Sequence, residues 1–464
     1  MNGEFVHRFL PNSAPETKRR MLKEVGIENI EEIYAEIPEN CRFHGKLNIP
    51  QEPTSEFAVS KYLRNVLGKN ISTDKMISFL GAGCWNHYVP AICDNINSRS
   101  EFVTAYSGSE YVDIGRQQGL FETASMLGEL LDMDVVGAPV YDGYSACGDA
   151  MLMAYRSNGR SQALVPSTIS RDKLDTIKLY SSGWFDIIQV NADPKTGQMD
   201  LEDLKLKISD KTAAVLIENP TYLGFIEEQG QIIGDIAHQA GAIFITSVEP
   251  LSLGILTPPG QYGADIAVLD AQPLGMHQNF GGGQVGFIAC QDKPEMINLM
   301  PCWLYSATKT VVEGELAYSW HALYDRMFYV IRDEAQNFTG TSAGLWGITA
   351  GIYLSLLGSY GLAQVDKTIL YNVNYIRKAL NSISGININR FASTPFQEFV
   401  VDFNETHRTV EEINTALSKK GIIGGKDLSK EFPYLEQSAL YCVTEIHTKD
   451  DLDKLVIALK EVLA

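Results

Sequence analysis

The pentapeptide Asp142-Gly143-Tyr144-Ser145-Ala146 stands between an apolar run and a helical one. A glycine and small hydroxyl residues at the opening of a helix leave backbone N–H groups facing outward, where an anion such as a phosphate can sit. About a hundred residues on, the apolar run Ile243–Val248 ends in Glu249-Pro250, which sets an acid at the tip of a strand. A third apolar run closes at Asp270 and leads through Ala271-Gln272-Pro273-Leu274-Gly275-Met276-His277 to Gly281-Gly282-Gly283. Capture of an aldehyde as an imine needs a primary amine. Neither Gln272 nor His277 carries one, and no lysine occurs between Lys211 and Lys293.

These residues need a scaffold, and the rhythm of the chain indicates which. Between about 75 and 310, short β-rich runs alternate with helical ones. Strands are expected at 134–140, 161–166, 185–190, 212–217, 243–248, 266–269 and 285–290. Helices are expected at 145–156, 171–181, 200–208 and 231–240. Strands apolar on both faces argue for a mostly parallel sheet covered by helices. Residues 1–70 read as a helical arm, 71–310 as the large α/β domain, and 311–464 as a helical connection followed by a small α/β domain. Residues 311–375 are expected to be helical throughout, with strands at 396–403 and 439–443 beyond them.

Composition narrows the function. The chain has 464 residues, 45% hydrophobic and 20% charged, ordinary values for a globular protein. Its net charge of −19 repels phosphate backbones and anionic lipid, which weighs against nucleic-acid and membrane roles. The start, Met1-Asn2-Gly3-Glu4-Phe5, lacks the basic and apolar regions of a secretion signal. Seven scattered cysteines with no CxxC pair read as reduced thiols of a cytoplasmic protein, with no metal site.

The order of the parts is that of pyridoxal-phosphate enzymes of the aspartate-aminotransferase type (fold type I), with the Schiff-base lysine missing. A closer resemblance follows from collinear motifs. Phe79-Leu80-Gly81-Ala82-Gly83, His87-Tyr88-Val89-Pro90-Ala91 and Glu101-Phe102-Val103-Thr104-Ala105-Tyr106 resemble the opening signature of subunit 1 (alpha) of the glycine decarboxylase P-protein. So do Glu249-Pro250-Leu251-Ser252-Leu253-Gly254, Gln272-Pro273-Leu274-Gly275, Gly421-Ile422-Ile423-Gly424-Gly425 and Cys442-Val443-Thr444-Glu445.

The resemblance implies a three-layer α/β/α large domain and a small C-terminal domain. It also implies a division of labour. A homologous, lysine-bearing subunit 2 holds pyridoxal phosphate, this chain helps complete the site in a heterotetramer, and the complex decarboxylates glycine and passes the aminomethyl group to the lipoylated H-protein. This chain would bind no cofactor covalently and supply no catalytic residue of its own.

Gly81, Gly83, His87, Tyr88 and Tyr106 are then expected at a substrate or interface pocket. Asp142, Gly143, Glu249, Gln272 and His277 would line a vestigial cofactor pocket. Departures at Trp85-Asn86, Gly282-Gly283-Gln284 and 309–342 motivate an alternative, a non-catalytic scaffold or regulatory paralogue. A third reading is an aminotransferase-like enzyme drawing on a distant lysine such as Lys309.

Overall fold

The computed structural model describes residues 6–49, 55–103, 114–321, 337–340 and 342–464. The chain separates into two compact units, Met1–Asn70 and Ile71–Ala464. In the first, helix Pro15–Val25 closes at Gly26, whose φ of +83° suits a residue without a side chain. Within this expected helical arm, a short 3₁₀ turn, Ile30–Tyr34, is held by reciprocal capping between Asn29 and Glu32. Helix Glu56–Leu67 starts where the Ser55 side chain accepts the Ala58 N–H.

The second unit is built on a seven-stranded sheet: β1 (Val135–Val136), β2 (Gln162–Pro166), β3 (Asp186–Val190), β4 (Thr212–Asn219), β5 (Ile243–Val248), β6 (Ile266–Asp270) and β7 (Gly286–Cys290). Their order across the sheet is β1-β7-β6-β5-β4-β2-β3, and β7 runs antiparallel to both its neighbours. Alternation along each strand divides the core. Val215, Ala267, Leu269 and Phe287 join one apolar layer. Ala214, Leu216, Ile266, Val268 and Ile288 join the other. All of β4 is buried, as a central strand covered on both faces must be.

The contacts do not divide the chain between 310 and 311. Strand Ile77–Ser78 pairs with Ile422–Ile423, and helix Gly344–Leu380 packs on both Ile114–Leu131 and the C-terminal helix Lys449–Leu463. These ties join the regions on either side. The helix expected over 311–375 is also corrected. Leu304–Lys309 and Leu316–His321 form an antiparallel hairpin, favoured by their β-branched and aromatic residues, and the helix starts only at Gly344. The C-terminal region sets Glu398–Asp402, Ser438–Cys442 and Lys426–Asp427 in a three-stranded antiparallel sheet. Its first strand carries a wall of the cavity described below.

The long helix can approach its neighbours because small residues face them. A Cβ on Gly351 would lie 2.1 Å from Thr123 Oγ1, and one on Gly347 would lie 2.5 Å from Pro139 Cγ. Gly351→Ala is therefore expected to lower stability by ~1–3 kcal/mol, read as a reduced urea midpoint with unchanged slope.

Candidate active-site pocket

The carboxyl ends of β4, β5 and β6 open into a cavity, the usual position for a ligand in an α/β sheet. Glu218, Ser247, Val248, Glu249 and Asp270 form its floor. The helix Gly143–Asn158, here α1, contributes Gly143 and Tyr144, and Arg171–Ser181, here α2, contributes Lys173. Gly83 and Trp85 close one side, and Phe396, Gln397 and Glu398 close another.

The opening of α1 is already filled by protein carboxylates. The Gly143 N–H donates to Asp270 Oδ2 at 2.8 Å, and the Ser145 N–H donates to Asp142 Oδ1 at 2.7 Å. The other oxygen of Asp270 accepts from Gln272 N at 2.9 Å and Val285 N at 3.3 Å. Burial raises the Asp270 carboxyl to about 7, against the pull of these N–H donors. A phosphate placed here would meet two carboxylates in place of free N–H groups. A Cβ on Gly143 would sit 2.8 Å from that of Asp270, so the contact depends on glycine.

Lys173 is a residue the sequence reading did not place in the site. The Ser170 side chain caps α2 by accepting the Lys173 N–H, which sends the lysine into the cavity from the first turn. Its Nζ donates to Glu218 Oε1 at 2.6 Å and Ser247 Oγ at 3.2 Å, with 13% of the side chain exposed. Burial opposes the charge, but the Glu218 carboxylate outweighs it and holds the ammonium above the ordinary lysine range. A lysine that forms an imine needs the opposite shift. Lys309, the distant lysine considered above, lies exposed at the end of a hairpin strand and does not line the cavity.

At the position where a lysine was sought, Gln272 is fully buried and works as a clamp. It accepts from Trp85 N at 2.9 Å and donates to the carbonyls of Trp85 at 2.9 Å and Met276 at 3.1 Å. His277 lies outside, 56% exposed beside Asp94. Glu249 lines the cavity, accepts from Leu251 N at 3.2 Å and Ser252 N at 2.8 Å, and is raised by burial to about 7.

His87 is buried, with Nδ1 2.8 Å from Glu445 Oε2 and Nε2 unpartnered, and it is not among the cavity-lining residues. Burial works to raise Glu445, but His87 overrides it and holds the carboxyl below its usual range. Tyr88 donates its backbone N–H to Glu445 and exposes its ring. Gly83 lines the cavity at a φ of +104°. Gly81 lets Glu398 approach, since a Cβ there would sit 2.4 Å from Glu398 Oε1. Tyr106 lies outside the described residues.

The sequence model of the glycine cleavage system P-protein matches residues 7–459. The chain belongs to the glycine cleavage system P-protein family. It is 36% identical to the probable glycine dehydrogenase (decarboxylating) subunit 1 of Staphylothermus marinus, covering 98% of each chain. It is 37% identical to the corresponding subunit of Pyrococcus furiosus, over 98% of this chain and 99% of that one. A crystal structure of glycine decarboxylase (P-protein) in inhibitor-bound form superposes with a TM-score of 0.85 at 30% identity, over 99% of this chain and all of the other. A Burkholderia pseudomallei sphingosine-1-phosphate lyase shares the fold, with a TM-score of 0.65 at 15% identity over 92% of this chain and 94% of the other. The architecture is that of the fold-type-I pyridoxal-phosphate enzymes, as the order of motifs implied. Where a phosphate would approach this P-protein cavity, the helix opening is occupied by Asp270 and Asp142, and the lysine within the cavity is bound as an ion pair.

Two outcomes follow. Glu218→Gln leaves the Lys173 charge without its partner and should cost ~3–5 kcal/mol. The double variant Lys173→Met/Glu218→Leu should recover most of that loss in urea unfolding. Glu249 titrates higher folded than unfolded, so its contribution is present below the unfolded value and lost as pH rises towards about 7. Glu249→Gln should therefore gain stability relative to the parent between pH 5 and 8, on the order of 1–3 kcal/mol, in paired urea titrations.

Proposed function

We propose that the chain is subunit 1 of a glycine dehydrogenase (aminomethyl-transferring) whose reactive centre belongs to a homologous, lysine-bearing subunit 2. The observation that carries this reading is the sealed helix opening: Gly143 donates to Asp270, and the lysine lining the cavity is neutralised by Glu218. The full-length likeness to chains named subunit 1 supports it.

Pyridoxal phosphate, held by the partner, supplies the electron sink for loss of the glycine carboxyl group. The residues of this chain position. Gln272 ties the segment around Trp85 to the loop after β6, and Glu445 fixes the His87 ring and the Tyr88 backbone. Exposed Tyr88, His277 and Phe280 stand on these two segments, where a partner subunit can meet them. The product goes to a lipoylated H-protein. The assembly is a heterotetramer in the cytoplasm, where seven free cysteines stay reduced.

Purified alone, the chain should show no visible pyridoxal band after incubation with the cofactor and no borohydride-trapped adduct by peptide mapping. Added to a lysine-bearing subunit 2, lipoylated H-protein and glycine, it should restore exchange of labelled bicarbonate into glycine. A covalent adduct or turnover by the isolated chain would sink this reading. Absence of exchange with a competent partner would favour the non-catalytic scaffold.

A further inference from the structure

The cavity holds polar groups that nothing among the described residues satisfies. Gln397 is 3% exposed and lines the cavity, and neither its amide oxygen nor its amide nitrogen has a partner. The Thr221 hydroxyl, on the same lining in a residue 7% exposed, is likewise unpartnered. Buried polar groups are as a rule paired, so an amide orphaned at both ends beside an open space points to a missing partner in that space.

The lining also defines what the partner is. Four carboxylates face the cavity, those of Glu218, Glu249, Asp270 and Glu398, against the single lysine of that lining, Lys173, which Glu218 already holds. The rings of Trp85 and Phe396 stand among them, beside those of Tyr144 and Tyr222, which already face Lys173 and Lys426. Excess carboxylate and aromatic faces around a small space favour an ammonium group, by charge and by attraction to the ring faces. They disfavour a phosphate or a lone carboxylate.

We propose that this cavity binds a small primary ammonium. Its N–H groups are received by the Gln397 amide oxygen and the neighbouring carboxylates. The Gln397 NH₂ and the Thr221 hydroxyl remain for an acceptor on the same molecule, as an amino acid would present. The site rests on this chain's own residues and does not depend on the subunit assignment. It makes this cavity a binding site for an amine or an amino acid.

The test is calorimetric titration of the full-length chain, without any partner, with methylammonium chloride and with glycine. Potassium chloride, sodium acetate and sodium phosphate serve as controls. Saturable binding of methylammonium, of glycine, or of both is expected. Glycine alone would place a carboxylate on the Gln397 NH₂ and Thr221 side, and methylammonium would identify a simple amine. Gln397→Leu should weaken binding at least tenfold while leaving the melting temperature unchanged or higher, because it removes an unmet buried amide. Thr221→Val should weaken glycine more than methylammonium. Absence of saturable binding at millimolar ligand, acetate binding as well as methylammonium, or wild-type affinity in Gln397→Leu would each overturn the proposal. Failure of the bicarbonate exchange with subunit 2 leaves this result untouched, so the two readings fail separately.

Discussion

The Asp270 carboxylate, at the end of β6, receives three backbone N–H groups from three separate places: the opening of α1, the turn after β6, and the approach to β7. A single side chain thereby joins the helix to two neighbouring strands. The same bonds occupy the position where a helix opening would otherwise hold an anion. Glycine at 143 is what permits the approach. The rest of the cavity is organised around that choice. With the anion position taken, the lining holds an excess of carboxylates, and the lysine that enters it becomes a counter-charge instead of a nucleophile.

The Lys173–Glu218 pair expresses the same logic at the end of β4. An ammonium in a space that water barely reaches is tolerated only with a partner at hydrogen-bond distance. Glu218 supplies it, Ser247 adds a second acceptor, and the Tyr144 ring lies 5.4 Å away. Such an arrangement favours the protonated amine over the free one. Gln272 extends the argument: an amide with three bonds to backbone groups is a strut, and it holds the Trp85 segment against the loop after β6.

Much of the scaffold could be read from periodicity. The helix Arg171–Ser181 and the strand Ile243–Val248 lie where the pattern put them, since apolar spacing and capping residues act locally. The pattern failed over 311–321. There the second strand of a β-hairpin, Leu316–His321, was read as part of the long helix that begins at Gly344. Gly143 and Glu249 line the cavity at the strand ends, whereas His87 turns to Glu445 and His277 lies on the surface. Lys173, Glu218 and Gln397 gave no signal: a lysine in a first helical turn, an acid before a proline and a glutamine near a strand look the same whether they face water or a cavity.

What the sequence determined by itself was the α/β alternation and the lack of an amine between 212 and 292. Both depend only on residue type and order. No folding of this chain can create a primary amine within that segment. What tertiary structure decided was which acid closes α1, which lysine enters the cavity and which amide is left unmet. Asp270 reaches Gly143 across 127 positions and Glu398 reaches Ala82 across 316. Contacts of that separation arise only when crossover connections bring strand ends together, and no local pattern encodes them.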